Sequence, residues 1–187
     1  MRVIEELPKN IVEELEVVNF EHKRFAQFIG RQSLIKRLTM SSNVSTIYEA
    51  NEFDLAKLVT GINTLKLNYF KMHVRNNASA NAAEMAANTN RLFIEFLKNQ
   101  PNLVELDLRF DGMSDDVLVE IANLKNLQRL TLKVPSRITG NFHRIFKLPN
   151  LSELVLIGAR TDTRKYHQMY QDHRKPSLAI FNYLISE

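Results

Sequence analysis

The side chains able to do covalent or metal chemistry are scattered along this sequence rather than grouped. Its five histidines are His22, His73, His143, His167 and His173. None belongs to a His-Glu-x-x-His arrangement, the spacing that turns two imidazoles onto one helical face to hold zinc. His167 and His173 stand six residues apart, so two solvent-exposed tail histidines account for them better than a metal site. Asp115 and Asp116 are adjacent and therefore diverge; helix capping explains them better than paired acid–base work. No serine occupies a Gly-x-Ser-x-Gly elbow, and the five glycines form no phosphate-binding loop. Cysteine is absent, which removes disulfides, thiolate ligands and a thiol nucleophile. The expectation is a non-enzymatic protein that needs no cofactor and no metal.

Composition narrows the class without naming a function. With 187 residues, 44% apolar and 25% charged, the chain reads as about one ordinary globular domain. The balance of 25 basic against 21 acidic residues gives +4, too small to imply nucleic acid by itself. No apolar run approaches the roughly 18 residues of a membrane span, and Met1–Glu6 lacks the apolar core of a secretory signal. The expectation is a soluble protein of the cytoplasm or nucleus with no membrane contact. Without a secretory signal, the sequons at Asn43, Asn77 and Asn150 carry no meaning.

The strongest signal is an internal repeat. Six segments spell apolar-x-x-apolar-x-apolar: Val12/Leu15/Val17, Ile35/Leu38/Met40, Ile62/Leu65/Leu67, Leu103/Leu106/Leu108, Leu127/Leu130/Leu132 and Leu151/Leu154/Leu156. Their central positions are 23, 27, 41, 24 and 24 residues apart. The last three share a lead-in as well: Gln100-Pro101-Asn102-Leu103, Leu124-Lys125-Asn126-Leu127 and Leu148-Pro149-Asn150-Leu151. Each segment predicts a short strand that turns repeat positions 1, 4 and 6 inward and positions 3, 5 and 7 outward. Ser114–Leu124, with Val117, Leu118, Ile121 and Leu124 at helical spacing and Ser114 as N-cap, predicts a return helix. Phe142, Ile145, Phe146 and Leu148 predict a shorter one, and Leu92–Leu97 predicts the helix before the fourth strand.

Over about residues 10–160 this pattern resembles a leucine-rich-repeat domain. The resemblance implies an α/β solenoid: a parallel concave sheet of about six short strands, helices or irregular segments on the convex side, and a C-terminal cap. The array would occupy 1–160, with strands near 12–18, 35–41, 62–68, 103–109, 127–133 and 151–157. The 41-residue spacing implies an insertion over 72–90. There a loop through Ser79 would lead into a helix from near Asn81 to Lys98, with Met85, Leu92 and Phe96 on its buried face. A low-complexity loop over the whole stretch is the alternative. Residues 161–187 would form the capping segment, with a helix starting at Thr161 or Asp162, a break at Pro176 and a second apolar run over Leu178–Ile185. The family's asparagine after each strand is degenerate: Phe110, Val134 and Gly158 stand near that point. Nothing before Val12 resembles a cap, so a further domain or a partner is expected to cover the N-terminal end.

The family resemblance points to the concave face as the functional surface. Repeat position 3 reads Glu14, Arg37, Thr64, Glu105, Arg129 and Glu153; position 5 reads Glu16, Thr39, Lys66, Asp107, Thr131 and Val155; position 7 reads Val18, Ser41, Asn68, Arg109, Lys133 and Ile157. Over the last three strands Glu105, Asp107, Arg109, Arg129, Lys133 and Glu153 would form a ladder of ion pairs. Val155 and Ile157 set apolar side chains on a face that should be polar. With Thr131, these residues are the candidate site for a protein partner. The competing readings are ordinary surface charge and a tail folded over Val155 and Ile157. The irregular repeats are most similar to F-box and ribonuclease-inhibitor-type proteins, which implies a substrate receptor of a ubiquitin ligase. Glu6-Leu7-Pro8 echoes the opening of an F-box, but the first strand follows at once, so an F-box would lie outside this chain and no residue is assigned to adaptor binding. The alternative is an RNA-associated domain similar to that of nuclear export factors. It would use the basic and aromatic tail residues Arg160, Arg164, Lys165, Tyr166, Tyr170, Arg174 and Lys175, which capping of the last repeat equally explains.

Overall fold

The computed structural model describes residues 12–18, 22–42, 59–74, 82–110, 112–133, 140–158, 168, 171 and 178–184. In chain order these form β1 (Glu14–Val18), α1 (His22–Ile29), β2 (Arg37–Ser42), β3 (Tyr69–Val74), α2 (Ala82–Lys98), β4 (Glu105–Arg109), α3 (Asp115–Ile121), β5 (Arg129–Lys133), a 3₁₀ helix (Gly140–Lys147), β6 (Glu153–Gly158) and β7 (Ala179–Leu184). Residues 59–63 are also helical. The protein is thus α/β, with one all-parallel sheet of seven strands in the order β1-β2-β3-β4-β5-β6-β7. The described helices between strands, α1, α2, α3 and the 3₁₀ helix, all contribute to one core cluster with the inward residues of the sheet. Among the described residues no helix is long and apolar enough to cross a membrane.

Alternation along the strands divides the sheet into a packed face and an open face. Val17, Leu38, Met40, Phe70, Met72, Leu106, Leu108, Leu130, Leu132, Leu154 and Leu156 are all buried in one cluster. That cluster takes in Phe25 and Ile29 of α1, Leu92, Phe93, Phe96 and Leu97 of α2, Val117, Leu118 and Ile121 of α3, and Phe142, Ile145 and Phe146 of the 3₁₀ helix. Aromatic rings tie the layers together: Phe70 of β3 lies 4.5 Å from Phe96, and Phe93 stacks on Phe110 at 4.9 Å. Every described side chain on the opposite face is at least partly exposed. Parallel sheets are ordinarily covered on both faces. Here none of the described side chains on the second face is buried.

The third strand lies at 69–74 and not at 62–68. Two overlapping spellings compete there, Ile62/Leu65/Leu67 and Leu67/Phe70/Met72, and the second forms the strand. Ile62 lies in the last turn of the helical segment 59–63, and the chain then turns: Leu65 N–H donates to Ile62 O at 3.0 Å, while Thr64 Oγ1 donates to Gly61 O at 2.7 Å. Ile62, Leu65 and Leu67 are buried as expected, but from a helix end and a turn. The register Leu15, Leu38, Phe70, Leu106, Leu130, Leu154, Ile180 gives separations of 23, 32, 36, 24, 24 and 26 residues. The expected insertion over 72–90 therefore shrinks. Met72 and Val74 belong to β3, and 82–90 belongs to α2, whose Leu92 and Phe96 are buried as predicted. The loop around Asn76–Ser79 lies outside the described residues, as does the expected tail helix start at Thr161. The capping segment supplies a seventh strand, so the sheet exceeds the six expected.

Buried amides lock the turns to one another. Gln100 occupies the lead-in position that Leu124 and Leu148 hold in the next two units, and it is as buried as they are. Its Oε1 accepts from Leu67 N–H at 3.0 Å, and its Nε2 donates to Leu65 O at 3.0 Å and Ile62 O at 3.5 Å. A polar side chain in a leucine slot is tolerated because all its groups are satisfied by the turn it faces. Asn90 joins α2 to the loop before α3 in the same way: Nδ2 donates to Ala86 O and Gly112 O, and Oδ1 accepts from Ser114 N–H at 2.9 Å. Ser114 takes the N-cap position in extended conformation, without a side-chain capping bond. Asn126 Nδ2 donates to Pro101 O at 3.1 Å, and Asn150 Nδ2 to Lys125 O at 2.8 Å. The shared lead-in asparagine therefore steps from unit to unit, a ladder that precedes each strand instead of following it.

Candidate functional site

The open face carries three rows of side chains, one residue per strand in each row. The register fixes the first row as Glu14, Arg37, Tyr69, Glu105, Arg129 and Glu153. Tyr69 stands where Thr64 was expected; in the other rows Lys71 replaces Lys66 and His73 replaces Asn68 for the same reason. Arg37 joins three strands: its Nε lies 3.4 Å from Glu14 on β1, and its guanidinium sits over the Tyr69 ring at 4.0 Å from the centroid. It also reaches to 3.9 Å from Glu105 on β4. Glu105 in turn accepts a hydrogen bond from Arg129 of β5. That bond, with the Glu105 charge and a smaller contribution from Glu153, holds the Arg129 guanidinium above its ordinary pKa. The row is thus a chain of alternating charge from β1 to β6, with one aromatic ring as its bridge.

The second and third rows are organised differently. Asp107 and Arg109 are two residues apart on β4, and they close a fork within the strand: Nε to Oδ1 at 2.8 Å and the terminal nitrogen to Oδ2 at 2.7 Å. The bidentate geometry presets both side chains. The expected ladder is therefore partly confirmed and partly redrawn. Glu105 and Arg129 pair across strands as predicted, Asp107 and Arg109 pair along one strand, and Arg37 joins from β2. Thr131 and Lys133 follow on β5, and Val155 and Ile157 stand half-buried on β6. The described part of the tail forms a strand at the edge of the sheet. This strand, β7, pairs alongside β6, with Phe181 in register with Val155 and Tyr183 in register with Ile157.

All nine residues expected at a partner site, Glu105, Asp107, Arg109, Arg129, Thr131, Lys133, Glu153, Val155 and Ile157, fall on this face of β4, β5 and β6. The seven tail residues of the alternative RNA site lie outside the described residues. The sequence pattern concealed Tyr69, whose signal was the overlapping Leu67/Phe70/Met72 spelling. Exposed ion pairs contribute about 0–1 kcal/mol each, so this pattern acts mainly by ordering side chains that a ligand would meet. Chemically it offers donors, acceptors and an apolar margin. Among the described residues no three histidine, aspartate or glutamate side chains are grouped to hold a metal ion. No known protein-family model matches this chain, and no curated protein matches it.

Proposed function

We propose that this chain is a leucine-rich-repeat domain that works as a non-enzymatic protein-interaction module, recognising a polypeptide through the open face of β4–β6. The observation that carries this reading is the one-sided burial of a parallel sheet. None of the described side chains on its second face is buried, and several are ordered by ion pairs. Repeat spacings of 24 residues and the Asn126 and Asn150 ladder support the repeat assignment. The passage from charged β4 and β5 to Val155 and Ile157 on β6 supports a polypeptide ligand with both polar and apolar side chains. Within this class, the resemblance noted above favours a substrate receptor of a ubiquitin ligase.

The test is retention of a protein from ribonuclease-treated extract on the immobilised chain, repeated with an Arg109→Glu/Lys133→Glu variant. A polypeptide held by the first and released by the second supports the assignment. Equal retention by both places the contact elsewhere. A ligand that disappears with ribonuclease treatment replaces the polypeptide with RNA and turns attention to the basic tail.

A further inference from the structure

On the helix side of the sheet, the C-terminal end of α3 and the 3₁₀ helix border an open groove of about 370 Å³. Its walls are Ala122, Asn123, Lys125, His143, Arg144 and Lys147. Of these described lining residues four are basic and none is acidic. The cause is geometric. A 3₁₀ helix has three residues per turn, so Phe142 and Ile145 eclipse one another on the core side while Arg144 and Lys147 eclipse one another on the outside. The run is eight residues long, unusual for this helix type, and it holds the two cations one above the other. Lys125 faces them from the neighbouring turn, where its Nζ lies 3.5 Å from the Ala122 carbonyl.

Glu120 and Asp115, the carboxylates of the neighbouring helix, have partners of their own. Glu120 is bridged by Lys98 at 3.7 Å and accepts from Asn123. Asp115 faces Asn141 at the other end of the helix pair. Among the described residues no carboxylate pairs with Arg144 or Lys147. A cleft whose charged lining is cationic concentrates its field on an anion. Its size falls in the range of small-molecule sites and exceeds the needs of one phosphate.

We propose that this groove binds a small polyphosphate group, a di- or triphosphate, with Arg144, Lys147 and Lys125 as its cationic contacts and the Asn123 side chain at its rim. The planar guanidinium of Arg144 suits two phosphate oxygens at once, and the two ammonium groups act as point charges beside it. The site is independent of the open face, because it lies on the helix side of the sheet.

Calorimetric titration of the full chain with tripolyphosphate at low salt tests it, with orthophosphate and sulfate at matched ionic strength as further probes. The expected result is saturable binding of tripolyphosphate and weaker binding of orthophosphate. An Arg144→Gln/Lys147→Gln variant should lose roughly tenfold or more in affinity, in keeping with the loss of charge-assisted hydrogen bonds, while its thermal midpoint is kept. Lys125→Gln, which leaves the 3₁₀ helix untouched, should weaken binding by a smaller factor. Absence of saturable binding, or equal binding of sulfate, overturns the proposal. So does a double variant that melts earlier yet titrates like the parent, because the two cations would then serve only the C-terminal dipole of their helix. A short RNA oligomer that binds more tightly than tripolyphosphate, and loses that affinity in the same variant, would replace the small ligand with nucleic acid.

Discussion

The guanidinium of Arg37 on β2 lies over the ring of Tyr69 on β3, 4.0 Å from its centroid, and from there extends to Glu105 on β4. The ring supplies the one neutral step in a row of alternating charges. It lets a cation on the second strand interact with an anion on the fourth. A double-mutant cycle on Arg37→Met and Tyr69→Leu, followed by urea denaturation, should give a coupling of about 0.5–1 kcal/mol, the range for a cation–π contact at a partly exposed site. Additive effects would show that the stacking is incidental.

Gln100 should be among the most sensitive polar positions. Gln100→Leu restores the residue type found at Leu124 and Leu148, yet it takes the Gln100 partner from Leu67 N–H and Leu65 O in a buried turn, while Ile62 O keeps its bond from Leu65 N–H. The expected loss is about 2–4 kcal/mol by chemical denaturation, the sum of two unsatisfied groups. A neutral or stabilising result would mean that the turn opens to water and re-forms its bonds there.

Gly112 has φ +77°, and a Cβ placed on it would meet Ala86 Cβ at 2.9 Å. Gly112→Ala should therefore destabilise by about 1–3 kcal/mol, combining left-handed backbone strain with a clash against α2. Adding Ala86→Gly should recover the steric part only. Full recovery would assign the whole effect to contact, and no recovery would assign it to the backbone.

Leu130 is fully buried in β5, and its neighbour Thr131 stands on the open face. Leu130→Ala should cost roughly 2–5 kcal/mol as a cavity in the core. Thr131→Ala should stay within about 0.5 kcal/mol. A reversal of that order, measured by urea denaturation, would place the strand one residue out of register.

The units from β4 to β6 were legible because leucines stand at all three inward positions and a shared asparagine lead-in sets the frame. The strand at 69–74 was hidden by its residue types. Phe70 and Met72 do the inward work there, while a more leucine-rich spelling five residues earlier imitates it. The motif combines an i, i+3 step with an i, i+2 step, and a helix end followed by a tight turn satisfies both. Gln100 was unreadable for a related reason: a polar residue in an apolar slot reveals its role only when the carbonyls of the turn at 62–67 are seen around it. The seventh strand carries little periodic signal, because Asn182 stands in register with Leu156 and no leucine lead-in precedes it. Of the candidate site, the nine residues on β4–β6 were found on one face as expected. The partner of Arg37 was missed with the frame of β3.

The most direct test of the open face as a recognition surface is site-specific photocrosslinking in cell extract. A photoreactive residue is placed at Thr131, in the middle of that face, and in a second variant at Glu95, an exposed position of α2 on the helix side. The account predicts a discrete polypeptide adduct from position 131 that is missing from position 95 and is lost when Arg109 and Lys133 are reversed in charge. The same adduct from both positions, or an adduct from position 95 alone, would contradict it.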